Sequence, residues 1–83
     1  MLISGVVVVT KTDKTSEVLN ALQDMRNVTT YGIHKDYHIV AVLEGNTARE
    51  LEDLTEEIKG SIPGVLGVYP TYVNFELEDE EAG

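Results

Sequence analysis

Val6-Val7-Val8-Val9 and, further along, Ile39-Val40-Ala41-Val42-Leu43 decide how this chain folds. A strand with one wet face alternates apolar and polar residues, whereas an unbroken apolar run signals burial on both faces. Only two other segments carry helical periodicity, and two helices cover one face of a small sheet. The second face is therefore expected to be open and apolar. An open apolar face of this kind usually marks a partner.

Working outward from these runs, Ile3 to Thr10 reads as the first strand, and Lys11-Thr12-Asp13-Lys14 is a polar connection. Thr15 to about Arg26 reads as a helix, with Val18, Leu22 and Met25 at i, i+4, i+7 and Leu19 beside them. Val28 to His34, rich in Thr, Tyr and Ile, is a second strand, joined through Lys35-Asp36 as a hairpin to a third strand over Tyr37 to Glu44. Gly45-Asn46 ends that strand. Thr47 followed by Glu50 is a capping box, in which the hydroxyl accepts from the Glu amide and the carboxylate reaches back.

The second helix is expected to run to Lys59 or Gly60, with Gly60 as its C-terminal cap. Ala48, Leu51, Leu54 and Ile58 form its apolar stripe, and Glu50, Glu52, Asp53, Glu56 and Glu57 form its solvated side. Ile62-Pro63-Gly64 is a turn, and Val65 to Phe75 reads as the fourth strand. Residues 1–76 make one domain, and residues 77–83 read as an acidic, frayed tail.

The order βαββαβ, with two halves of like layout, is the ferredoxin-like split βαβ pattern: an α+β fold with a four-stranded antiparallel sheet and two helices on one face. Right-handed crossovers place strands one and three in the centre and strands two and four at the edges. The two most continuously apolar strands are then the central ones. Pro70 falls in an edge strand, where its missing N–H needs no ladder partner.

Alternate residues of a strand point to opposite faces. Val6 and Val8, Ile39, Ala41 and Leu43, and Leu66, Val68 and Tyr72 are assigned to the helix side. Gly5, Val7 and Val9, Thr29, Tyr31 and Ile33, His38, Val40 and Val42, and Gly67, Tyr69, Thr71 and Val73 are assigned to the open side. The open side then forms a groove of valines flanked by Tyr31 and Tyr69, with Gly5 and Gly67 as low points. An apolar helix could lie in such a groove. The competing occupant is a second copy of the chain, stacked face to face as a homodimer.

Fifteen acidic residues against six basic ones give a formal net charge of -9. Phosphate binding needs clustered Lys and Arg, so nucleic acid is excluded as a partner. Long-range steering favours basic peptides, although the same charge also serves solubility. The chain has no cysteine, hence no disulfide framework and no thiolate metal site. Its first residues lack the basic region and cleavage site of a signal peptide, and no apolar run approaches the ~20 residues of a membrane span. A cytoplasmic location is the expectation.

No catalytic constellation appears. There is no Gly-rich phosphate loop, and Ser4, Ser16 and Ser61 lack a nearby base. His34, Asp36 and His38 bracket the hairpin, but their spacing fits a polar hairpin tip better than a metal site. Neither a metal nor a cofactor is expected. The acidic run Glu76, Glu78, Asp79, Glu80 and Glu81 reads as a solvated tail that could also attract a basic peptide.

Three segments carry a family resemblance that spans almost the whole chain. They are Ser4-Gly5-Val6-Val7-Val8, His38-Ile39-Val40-Ala41-Val42-Leu43-Glu44, and Ile62-Pro63-Gly64-Val65-Leu66-Gly67-Val68-Tyr69 leading into the last strand. With Tyr72-Val73-Asn74 and the acidic end, they resemble the NapD family, the cytoplasmic maturation chaperones of periplasmic nitrate reductase. The resemblance implies a ferredoxin-like fold, no catalysis, and binding of the twin-arginine signal peptide of the reductase's catalytic subunit. That hold would prevent premature export while cofactors are inserted.

No short functional motif carries over from the family, so the expected site comes from the open face. It comprises Gly5, Val7, Val9, Tyr31, Ile33, His38, Val40, Val42, Gly67, Tyr69, Thr71 and Val73, with Glu44 or Glu76 meeting the arginines. Amino-acid-binding regulatory domains of the same fold share the Pro-Gly-Val lead-in to the last strand. A small-ligand-binding homodimer is therefore the alternative reading.

Overall fold

The computed structural model describes residues 1–71. Six elements follow one another: β1 (Leu2–Thr10), α1 (Thr15–Gln23), β2 (Val28–His34), β3 (His38–Gly45), α2 (Ala48–Ser61) and β4 (Val65–Pro70). The strands form one sheet in the order β2-β3-β1-β4, and every pairing is antiparallel. This is the ferredoxin-like α+β arrangement, with the two unbroken apolar strands in the centre.

One side of the sheet builds the core. Val6 and Val8 of β1 and Ile39, Ala41 and Leu43 of β3 pack against Val18 and Leu22 of α1 and against Ile58 and Ile62 at the end of α2. Val8, Val18, Leu22, Ile39, Leu43 and Ile58 are fully buried. Burying each such side chain is worth roughly 1.5–3 kcal/mol, so this single layer supplies most of the driving force for folding.

The β1–α1 junction is tied by a polar knot inside that apolar layer. The hydroxyls of Thr10 and Thr15 lie 2.6 Å apart, both side chains are buried, and the carbonyls of Tyr37 and Lys11 stand ready to accept from them. Buried hydroxyls left without partners would cost about 1–3 kcal/mol each, which these contacts avert.

Several boundaries differ from the sequence expectation, each for a local reason. α1 stops at Gln23, short of Arg26. The Asp24 and Met25 amides donate to the carbonyls of Ala21 and Leu22, which tightens the last turn. Asn27 then takes a left-handed φ of 67° and offers its carbonyl to the Glu44 amide at 2.9 Å, launching β2 beside β3.

α2 runs through Ser61, so Gly60 lies inside the helix and is not its cap. Continuing the helix brings Ile62 down into the core just beyond its end. The left-handed residue comes later, at Gly64 with φ 97°. A Cβ there would stand 2.6 Å from Cβ of Lys14, so this turn requires glycine on two counts.

The capping box at α2 forms. Thr47 Oγ1 accepts from the Glu50 amide at 3.1 Å, and Glu50 Oε1 accepts from the Asn46 amide at 2.8 Å, one residue further back than the usual reciprocal bond.

Candidate functional site: the open face of the sheet

Neither described helix lies on the second side of the sheet. Its side chains are fixed by register, because directly opposed residues in an antiparallel ladder share a face. Along the central pair, Ile3 opposes Glu44, Gly5 opposes Val42, Val7 opposes Val40, and Val9 opposes His38. All eight alternate with the core residues and therefore face the open side. Val7, Val9 and Val40 are half-buried and take no part in the core cluster. Val42, 7% exposed, also lies outside that cluster; it sits between Gly5 on one neighbouring strand and Thr29 on the other.

The β4 edge contributes Gly67 opposite Val9 and Tyr69 opposite Val7. Beyond the end of the strand, the Thr71 amide donates to the Gly5 carbonyl at 3.0 Å, so Thr71 extends the same row. Gly67 is not an empty low point. A Cβ placed there would be 2.5 Å from Tyr69 Oη and 2.7 Å from the ring carbons, so the Tyr69 ring rests on the Gly67 backbone. Tyr69 nevertheless stays 56% exposed, presenting the rest of its ring to the face.

Two expectations are corrected at the edges, each by a one-residue register shift. In β4, Thr10 pairs with Val65 while Val9 pairs with Gly67, leaving Leu66 as the extra residue. Val65 takes the core position assigned to Leu66, and Leu66 is 60% exposed. In β2, the pairing shifts between Thr30 and Ile33, so that Ile33 opposes the core residue Ile39 and belongs to the helix side. Gly32, with φ 104°, sits in that irregularity. Thr29 and Tyr31 keep their open-side places, whereas His34 moves onto the open face directly opposite His38.

The sequence reading of the site missed Ile3 and His34. The strand-one alternation already pointed to Ile3, since it shares the parity of Gly5 and Val7. His34 needed the β2 bulge, for which Gly32 was the available signal. Val73, Glu76 and the inward Tyr72 lie outside the described residues.

The polar groups are unevenly placed. Glu44 is half-buried at one end of the face, beside Ile3. The imidazoles of His34 and His38 occupy the other end. His38 stacks on Tyr37 with ring centroids 4.3 Å apart, and its Nδ1 is buried with no hydrogen-bond partner among the described residues. The other described acidic residues belong to helices, turns and loops. A cleft lined by Asp24, Met25, Arg26, Asn27, Leu54 and Glu57 lies between the end of α1 and α2, away from this face. Among the described residues no three His, Cys, Asp or Glu side chains gather to hold a metal ion, and no helix is long and apolar enough to cross a membrane.

Among the described residues, an apolar floor of valines with an aromatic at the β4 edge and one acid at its end can bury an apolar segment and meet a cation. The chain's backbone superposes on the solution structure of the E. coli Tat proofreading chaperone protein NapD with a TM-score of 0.76, at 20% sequence identity, over 99% of this chain and 86% of that one. At that identity the likeness speaks for the fold. No curated protein matches the sequence. The family model described as NapD protein matches residues 1–77, nearly the full length, and the chain belongs to that family.

Proposed function

We propose that this protein is a cytoplasmic, non-catalytic chaperone that holds the twin-arginine signal peptide of a periplasmic nitrate reductase catalytic subunit on the open face of its sheet. Such a hold delays export until the client's cofactors are in place. The observation that carries this reading is the apolar row Val7, Val9, Val40 and Val42 on the face that neither described helix covers, in a chain of the NapD family. The similar E. coli structure is named as a Tat proofreading chaperone, and the family resemblance read in the sequence implies a twin-arginine signal peptide as the bound segment.

The physical sequence of binding follows from the face. The net charge of -9 draws a basic peptide in from a distance. The valine floor and the Tyr69 ring then bury the apolar segment that follows the arginines, at about 25 cal/mol per Å² of apolar area removed from water. A reversible holder must also let go, which suits a dissociation constant between nanomolar and micromolar, about -8 to -12 kcal/mol.

Calorimetric titration with the signal peptide tests this directly. The unmodified chain should bind saturably, a Lys-Lys peptide should bind more weakly, and Val7→Asp or Val40→Asp should abolish binding while the chain still melts cooperatively. Normal binding by both variants would exclude the open face as the site.

A further inference from the structure

The open face is not symmetric end to end, and this asymmetry bears on how a peptide lies on it. Four rungs cross it. The first pairs Ile3 with Glu44, the second Gly5 with Val42 and Thr29, the third Val7 with Val40 and Tyr69, and the fourth Val9 with His38, His34 and Gly67. The carboxylate sits on the first rung, the valines and the tyrosine in the middle, and two imidazoles on the last. No other described acidic side chain shares these rungs.

From Ile3 to Val9 the strand advances about 20 Å. A helix of about thirteen residues covers that distance. One bound helix of this length can therefore touch the Glu44 rung and the histidine rung at the same time, so its direction along the face has consequences.

We infer that the face binds its peptide in one direction, with the basic end on the Ile3–Glu44 rung and the apolar segment running over Val7 and Val40 toward His38 and His34. This rests on the signal-peptide reading above. In this direction the guanidinium groups meet Glu44, the one acidic side chain on these rungs among the described residues. In the reverse direction they lie against the imidazoles beside the hairpin tip, where the solvent-exposed Asp36 offers only screened attraction, and they leave Glu44 unpaired under an apolar segment. A half-buried carboxylate covered by an apolar partner loses hydration without compensation, which penalises the reversed mode. Glu44 is thus assigned as the residue that sets peptide direction, distinct from the valines that supply apolar contact.

The absence of cysteine makes the test clean. Two versions of the twin-arginine peptide would each carry one spin-labelled cysteine, either just before the arginines or at the end of the apolar segment. Paramagnetic broadening would be read on the chain's amides. The first label should broaden Ile3 and Glu44 most, and the second Val9 and His38. The opposite gradient, or equal broadening by both labels at both ends, overturns the direction while leaving the face as the site.

Broadening confined to other elements, or no saturable binding at all, removes the signal-peptide reading and the direction with it. Shifts of the same amides on simple concentration of the peptide-free chain, together with dimer mass, would assign the face to a second copy and overturn both. A paired substitution separates local contact from net charge. Glu44→Gln should weaken the peptide roughly two- to fivefold, in keeping with a partly exposed ion pair. Asp36→Asn, which removes the same charge from the hairpin tip, should not. Equal loss in both would reduce Glu44 to a contributor to the overall field and overturn its assignment.

Discussion

The two faces of β1 are built from the same residue, yet they do opposite work. Val6 and Val8 are sealed under two helices, with Val8 at 0% exposure, while Val7 and Val9 remain half-buried on the open side. The ladder opposes Val8 to Ile39 and Val7 to Val40, so each face continues across the central strands. Nothing in the identity of a valine tells these roles apart. Parity along the strand and the number of helices do. One face commits its apolar area to the core, and the other is covered by neither described helix.

The largest effect that could break this contrast comes from placing the same charge on each face. Val8→Asp buries an unpaired carboxylate in a closed core and should remove more than about 4 kcal/mol, enough to unfold so small a domain. Val7→Asp should cost only about 1–2 kcal/mol, because water reaches its side of the sheet. Urea unfolding of the two variants measures the difference. Equal losses would mean that both faces are equally sealed.

A smaller effect sharpens the boundary of the helix-covered side. Gly64→Ala should destabilise by about 1–3 kcal/mol, since it combines a left-handed φ with a clash against Lys14 where the α2–β4 turn meets the start of α1. The shift should appear in the urea midpoint at unchanged m-value. The smallest effect has the opposite sign. Gly60 lies in the last turn of α2 with open space where a Cβ would go, so Gly60→Ala should stabilise by about 0.5 kcal/mol. Destabilisation there would reinstate Gly60 as a cap.

The central strands were legible in the sequence because their apolar runs are continuous and their ladder runs without a shift from Leu2 to Val9. Their parity is therefore set once and holds throughout. The edge strands were legible in kind but not in register. A single extra residue in β2 moved Ile33 to the helix side and His34 to the open side. A single extra residue in β4 gave the core position to Val65 in place of Leu66. Bulges of this sort exchange one plausible apolar residue for its neighbour, and hydrophobic pattern alone cannot choose between them.

The Gly60 cap failed for a related reason: the core's demand for Ile62 carried the helix one residue past a glycine that local preference would have ended on. The Tyr69–Gly67 contact was invisible in sequence because it depends on where a ring lies, not on spacing.

The most direct test of the open face as a signal-peptide site is to follow amide shifts of the labelled chain during titration with a twin-arginine signal peptide of a periplasmic nitrate reductase. Saturable shifts centred on Val7, Val9, Val40, Val42 and Tyr69, weakened when the arginines are replaced by alanines, are the expected result. Shifts centred on α1 and α2, or none at high micromolar peptide, would contradict it.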